Sequence, residues 1–331
     1  MIIKYKSPFT RTFFLLYKME KDSYALGIDI GGTNIAFGLV DKLGNIKFET
    51  SVPTKNFETP LDFINYLNQL KELQATNFKI VGIGIGAPNG NHFKGTIDFA
   101  PNLSWKGCIP LREMFENIFK LPTILTNDAN AAAVGEKYFG CAKDLQNFVT
   151  ITLGTGLGSG IFINDTIIYG EHGYAGEFGH VRVIPGGRLC KCGRKGCLET
   201  YASSTGVVRS FHELFSPNKK SSKLNKYTNI SAKAIFSEAE KGDLYANELV
   251  NYTAEILGAS LADFCTFSDP KAFVLFGGIA QNGEFFRKKV AEAFDKNLLS
   301  VFKNKVEIRL STLHDKNAAI LGNAASVFLI K

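Results

Sequence analysis

Two stretches of the chain follow one hydrophobic plan. Residues 25–30 form a β-rich apolar run, Gly31-Gly32-Thr33 interrupts it, and a second β-rich run fills 34–40. Residues 148–153, Gly154-Thr155-Gly156 and 158–163 repeat the pattern. Apolar runs broken by a short glycine turn predict β-hairpins. Helix–strand alternation follows each hairpin. After the first, helical spacing is expected over 61–73, 111–119 and 129–139, with strands at 79–85 and 123–126. After the second, helices are expected over 246–265, 284–298 and 317–329, with strands at 272–276 and 306–310. This is a duplicated α/β pattern with a mixed sheet in each half. The polar, basic stretch 216–228 reads as a solvated loop.

The chain has 331 residues, enough for two domains with separate cores. Its composition, 45% hydrophobic and 21% charged, is that of a globular protein. The net charge of +7 is concentrated locally. Lys4, Lys6, Arg11 and Lys18 precede any acid, and Lys219, Lys220, Lys223 and Lys226 form a second basic cluster. Without these eight residues the remainder stands at −1, so the charge does not argue for a nucleic-acid partner. No run reaches transmembrane length. Residues 1–18 read as an appendage, because their apolar run is too short for a signal sequence. Scattered Cys108, Cys141 and Cys265 suit a reducing, cytoplasmic setting.

The other three cysteines are clustered. His180 is followed by Cys190-x-Cys192-x4-Cys197, flanked by Glu177 and Glu199. Three thiolates and an imidazole are the ligand set of a closed structural zinc site. Glycines among them allow a tight wrap. A redox pair is the rival reading, but Cys-x-Cys is shorter than the thioredoxin-type spacing. Buried small residues are another, but the stretch is too polar. A zinc ribbon gripping nucleic acid would draw on Arg188, Lys191, Arg194 and Lys195, yet such ribbons usually pair two cysteine knuckles.

The two glycine turns invite a phosphate reading. Glycine admits close approach of backbone N–H groups, and threonine adds a hydroxyl. One such turn is an ordinary hairpin; two at matching places look like jaws around a polyphosphate. Asp29, before the first turn, either holds Mg2+ or hydrogen-bonds the turn. No Walker A loop is present. Gly82-x-Gly84-x-x-Ala87 matches a loose dinucleotide fingerprint, but Pro88-Asn89-Gly90 follows where a helix should. It reads as a strand end approached closely by a ligand or another strand. Asp128, in Asn127-Asp128-Ala-Asn130, is either a helix N-cap or a general base. Asn102 is either a loop residue or a ligand donor. Gly277-Gly278 suits either a left-handed turn or the approach of a flat ligand.

Five motifs occur in order: Asp29-Ile-Gly-Gly-Thr33, Asn127-Asp128-Ala-Asn130, Leu153-Gly-Thr-Gly156, Glu177-x-Gly-His180 and Cys190-x-Cys-Gly-x-x-Gly-Cys197-x-Glu199. The set resembles the ROK family of bacterial sugar kinases, from about residue 24 to the C-terminus. Its glucokinases and N-acetylhexosamine kinases are the most similar members. The resemblance implies two ribonuclease H-like domains of the actin-like ATPase fold, each with a mixed sheet, and a cleft between them. It implies an appendage over 1–23, a small domain over 24–128 joined by a returning helix at 315–331, and a large domain over 129–314 holding the zinc loop. It assigns Asp128 as catalytic base, and Asn102, Asn127, Glu177, His180 and Glu199 as sugar ligands alongside Asp128. Asp29, Gly31, Gly32, Thr33, Gly154, Thr155 and Gly156 match phosphate loops, and Gly277 and Gly278 the adenosine side. His180, Cys190, Cys192 and Cys197 match zinc ligands.

The implied reaction is phosphorylation of a hexose by ATP with Mg2+, glucose to glucose 6-phosphate first. N-acetylglucosamine, N-acetylmannosamine and fructose are alternatives. A homodimer is implied. The family also holds sugar-sensing repressors with an added DNA-binding domain, for which about two dozen residues before the first strand are too few. An actin-like assembly ATPase is a further alternative, against which the Glu177, His180 and Glu199 set counts.

Overall fold

The computed structural model describes residues 23–74, 78–101, 103–214, 222–313 and 318–329. The expected appendage lies outside them except for Ser23, which opens the first strand, and so does Asn102. The chain divides into two compact units. Strands and helices are numbered in chain order.

The first unit is built on β1 (Ser23–Ile30), β2 (Asn34–Asp41), β3 (Ile46–Pro53), β4 (Lys79–Gly86) and β8 (Thr123–Thr126). They lie in the order β3-β2-β1-β4-β8. β1 pairs antiparallel with β2 and parallel with β4, and β8 continues the parallel side. A small second sheet joins β5 (Gly90–Asn91), β6 (Thr96–Asp98) and β7 (Cys108–Ile109). The helix expected over 61–73 is split into α1 (Pro60–Gln69) and α2 (Lys71–Gln74). Thr59 and Asp62 form a capping box at its start. Leu70 ends it in extended backbone, with its N–H on the Leu67 carbonyl. α3 (Leu111–Phe119) and α4 (Asp128–Tyr138) follow. Phe37, Phe63, Trp105 and Phe115 form the aromatic centre of this core.

In the second unit β9 (Phe148–Leu153) and β10 (Leu157–Ile163) pair antiparallel. The segment 164–175, which carries the short strand β11 (Thr166–Ile167), clusters with the first unit. Next come α5 (Glu199–Ala202), α6 (Ser204–Leu214), α7 (Ala232–Glu240), α8 (Leu244–Ser268), β12 (Ala272–Phe276), α9 (Gly283–Asn297) and β13 (Glu307–Leu310). The order β10-β9-β12-β13 repeats β2-β1-β4-β8, antiparallel then parallel. The duplication expected from the hairpins is therefore present as topology. Two mixed sheets of this order are the ribonuclease H-like arrangement of the actin-like ATPases.

α10 (Ala318–Val327) returns to the first unit and packs on β1, β4 and α4. It explains the loose dinucleotide fingerprint. A Cβ added at Gly84 would overlap the Asn323 carbonyl, and one at Gly27 would overlap that of Ile320. These glycines admit a helix backbone, where a ligand or another strand had been expected. Fully buried Asn323 donates from Nδ2 to the Ile28 carbonyl at 2.7 Å.

The first unit runs on to Asp144 and takes in α4. A helix whose faces pack on α10 and β4 cannot be detached from that core. The stretch 216–228 is not simply a solvated loop: among its described residues, Ser222 and Leu224 are buried. Asp243 accepts the Lys223 N–H at 2.7 Å, and Lys226 pairs with Glu238 at 3.0 Å. No helix of the described residues is long and apolar enough to cross a membrane.

Candidate active site

The first unit carries a glycine turn and two carboxylates. Asp29 is the penultimate residue of β1, held opposite Ala36 by the hairpin register. Gly31 N–H bonds the Asn34 carbonyl at 2.9 Å and closes the turn. Buried Thr54 braces it from behind: its hydroxyl donates to the Gly31 carbonyl at 2.7 Å and its N–H to the Thr33 carbonyl at 2.9 Å. Gly32 and Thr33 are exposed.

Asp128 is the first residue of α4, and it is not the helix cap. Asn127 takes that role, its side chain accepting the Asn130 N–H at 2.7 Å. Asp128 accepts the adjacent Ala129 N–H, at 2.9 Å. Its side chain is open to solvent, yet protein surrounds it closely enough that lost solvation raises its pKa; the Ala129 hydrogen bond opposes this. Burial, then the nearby Asp128 charge, push Asp29 up to about 7. Lost solvation thus gives Asp128 a raised basicity. Two carboxylates close enough for one charge to act on the other suit a divalent metal such as Mg2+.

The second unit, described by itself, carries the other turn and the cysteine loop. Gly154 N–H bonds the Gly156 carbonyl at 3.0 Å. Ser204 donates to the Gly154 carbonyl from both backbone N, at 2.9 Å, and hydroxyl, at 2.8 Å. Thr205 donates to the Thr155 carbonyl at 2.8 Å. Gly277, at φ 96°, packs against the Leu153 backbone, whereas exposed Gly278 has nothing within 4 Å of an added Cβ. The first glycine is required by the turn, and the second leaves room for a flat group.

The four expected metal ligands converge. The ligand atoms of His180, Cys190, Cys192 and Cys197 all lie within 4.8 Å of one another. Cys192 and Cys197 sulfurs are 3.7 Å apart, as are Cys190 Sγ and His180 Nδ1. Tetrahedral zinc with bonds of about 2.3 Å to sulfur sets sulfurs roughly 3.8 Å apart, so the residues fit that ion. Burial and the neighbouring thiols push Cys190 up to about 12. A bound cation would reverse this and hold thiolates. The loop is drawn together by backbone bridges between Arg182 and Cys197 and between Leu189 and Lys195.

With Nδ1 on the cluster, His180 presents Nε2 toward Glu177, 3.9 Å from Oε2. Glu199 sits between loop and turn. One oxygen lies 3.6 Å from Cys190 Sγ, and the other accepts the Leu157 N–H at 3.2 Å. A Cβ on Gly156 would overlap that carboxylate.

Arg188, read from sequence as a possible nucleic-acid contact, is buried. Its guanidinium bonds Glu213 at 2.7 Å, the Thr200 carbonyl at 2.7 Å and Ser210 at 2.9 Å, and stacks 4.4 Å over Tyr201. It anchors the cysteine loop to α5 and α6. Sequence reasoning also missed Thr54, Ser204 and Thr205. The run Ser203-Ser204-Thr205 was a signal, since consecutive hydroxyls at a helix start exceed what one cap needs.

Two actin-like sheets, each carrying a hydroxyl-braced glycine turn, with a carboxylate at one helix start and a Cys3His loop, define a sugar-kinase-type ATPase fold. The chain matches the ROK family over residues 25–328, and it belongs to that family. A glucokinase of Halalkalibacterium halodurans is 35% identical over 311 residues, 91% of this chain and 94% of that protein. A putative xylose repressor of Caldicellulosiruptor is 30% identical across 91% of this chain and 77% of its own length. A ROK glucokinase from Streptomyces griseus, solved with glucose and AMPPNP, superposes with a TM-score of 0.77 at 34% identity, covering 91% of this chain and 98% of that one.

Proposed function

We propose that this protein transfers the γ-phosphoryl group of ATP to a hexose hydroxyl, converting glucose to glucose 6-phosphate. The observation that carries the reading is Asp128: a carboxylate of raised basicity at a helix start, relieved of capping by Asn127. The glucokinase relatives and the glucose and AMPPNP complex of the Streptomyces griseus enzyme support it.

In this reading Asp128 accepts the hydroxyl proton as the sugar oxygen forms its bond to the γ-phosphorus. The bond from that phosphorus to the β–γ bridging oxygen breaks, and ADP leaves. Such transfer depends on positioning and charge neutralisation, with general-base help of roughly a hundredfold to ten-thousandfold. Asn102, Asn127, Glu177, His180 and Glu199 hold the sugar with Asp128. Gly31, Gly32 and Thr33, with Gly154, Thr155 and Gly156, offer backbone N–H groups to the phosphates. Gly277 and Gly278 line the adenosine. Mg2+ near Asp29 would neutralise phosphate charge, and zinc on His180, Cys190, Cys192 and Cys197 would fix the loop bearing Glu177 and Glu199. A homodimer in the cytoplasm belongs to the same proposal.

The repressor relative supports a second reading, a sugar sensor that does not catalyse. A coupled assay for ADP with ATP and a panel of glucose, N-acetylglucosamine, N-acetylmannosamine, mannose and fructose separates them. The expected result is the highest kcat/KM with glucose. Sugar binding without ADP would establish the sensor; ADP without sugar would mark an assembly ATPase. Light scattering checks the dimer.

A further inference from the structure

The two glycine turns share a feature that their sequences do not announce. Each has its carbonyl side occupied by hydroxyl residues from elsewhere in its own unit. Thr54 holds the carbonyls of Gly31 and Thr33. Ser204 and Thr205 hold those of Gly154 and Thr155. Thr54 comes from the short helical turn Thr54–Asn56 after β3, and Ser204 and Thr205 from the first turn of α6. The two braces therefore come from different elements and arrive at one arrangement.

A planar trans peptide points its C=O and its following N–H in opposite directions. Holding the Gly31 carbonyl from behind turns the Gly32 N–H forward. Holding Gly154 and Thr155 does the same for Thr155 and Gly156. Neither the Thr155 nor the Gly156 N–H has a partner within the chain among the described residues. Glycine at these places leaves the peptide free to rotate, so a turn of this composition has no intrinsic preference for the forward-facing state. The hydroxyls supply it. The division of labour within Ser203-Ser204-Thr205 agrees: Ser203 caps α6 by accepting the Gly206 N–H at 3.1 Å, and the next two hydroxyls turn to the glycine loop.

We infer that Thr54, Ser204 and Thr205 are positioning residues, each orienting the backbone N–H groups of the turn in its own unit toward phosphate oxygens of a nucleotide. This rests on the nucleotide-binding part of the proposed function. It adds the residues that make flexible turns into ordered anion sites.

The test is the affinity of the full-length protein for AMPPNP with Mg2+ and for adenosine, measured by calorimetry. Thr54→Val, Ser204→Ala and Thr205→Val are compared with the wild type. Each should weaken AMPPNP by roughly fivefold, the worth of one hydrogen bond. Ser204→Ala should be mildest, because its N–H still holds Gly154. Adenosine affinity and hexose KM should stay within about twofold, since neither ligand reads these amides. Thr205→Ser should restore AMPPNP binding. Circular dichroism and Tm confirm folding, and Ser204→Ala and Thr205→Ser keep the test open if a valine variant misfolds.

Unchanged AMPPNP affinity in all three variants overturns the inference, as does an equal loss for AMPPNP and adenosine, which marks a structural role only. A wild type that binds no AMPPNP removes this inference and the kinase reading together. A wild type that binds AMPPNP yet phosphorylates no hexose removes the kinase reading alone, and the variant comparison still decides.

Discussion

Asn127 caps α4 by accepting the Asn130 N–H at 2.7 Å, and this bond decides what the next residue can do. Relieved of capping, Asp128 keeps a carboxylate for chemistry. Asp128→Asn should lower kcat by roughly a hundredfold to ten-thousandfold while sugar affinity and the circular dichroism spectrum are kept. Near-normal turnover would refute the assignment. Because lost solvation raises the Asp128 pKa, the acid limb of kcat/KM should fall above the ordinary aspartate range. Asn127→Ala, by contrast, should cost about 1 kcal/mol of stability as a lost cap.

Asp29 should make stability depend on pH in the opposite sense to a salt-bridged aspartate. Its folded pKa of about 7 lies above its ordinary value, so the folded state binds more protons between the two. Stability from this group is full below the ordinary value and is lost as pH rises through about 7. Asp29→Asn should therefore raise Tm more at pH 8 than at pH 5. A Tm difference that does not grow with pH would contradict this. Excess Mg2+ should narrow the difference at pH 8 if the cation settles beside this carboxylate.

Glu199 predicts a coupling between the metal loop and the glycine turn, because it lies against Cys190 on one side and bonds Leu157 on the other. Cys192→Ser should abolish bound zinc, read by elemental analysis. Hexose affinity should fall with it. Zinc-free protein with unchanged hexose binding would contradict the bracing role.

Arg188→Met tests the anchor of the same loop. The change strands the Thr200 carbonyl, removes the donor to Ser210, whose hydroxyl keeps its bond to the Gly206 carbonyl, and leaves half-exposed Glu213 without this partner. The expected loss is about 2–4 kcal/mol in denaturant unfolding. A shift below about 0.5 kcal/mol would show that the loop is held elsewhere.

Gly84→Ala should be the most damaging small substitution in the first unit. The added methyl would overlap the Asn323 carbonyl, and neither β4 nor α10 can retreat without opening the core. Insoluble expression or a Tm lowered by more than about 8 °C is expected, against no change if the helix can shift.

Much of the molecule was legible in order of local signal. The hairpins at Gly31–Thr33 and Gly154–Gly156, the helix beginning after Asn127 and the Cys3His spacing all depend on neighbours in sequence, where turn chemistry and periodicity act directly. The short strands at 90–91, 96–98 and 108–109 and the helices at 204–214 and 232–240 were not read, because their patterns are brief or interrupted. The fingerprint at Gly82–Ala87 was read as a strand end and left its partner open, since only the packing of α10 names Asn323. The role of Arg188 was illegible for a similar reason: a cation in a basic, glycine-rich stretch looks exposed until Glu213, Thr200 and Ser210 surround it.

The sequence by itself determined the duplicated α/β plan, the two glycine turns and the clustering of three thiols with one imidazole, because each is written in residue types a few positions apart. Tertiary structure alone decided which atoms face where: that Asn127 frees Asp128, that His180 gives Nδ1 to the cysteine cluster and Nε2 to Glu177, and that distant hydroxyls set the turns. The hydroxyls lie 23 and 50 residues from the turns they hold, and even the short-range choices at Asn127 and His180 are hydrogen-bond directions that are fixed only when the sheets and helices have packed.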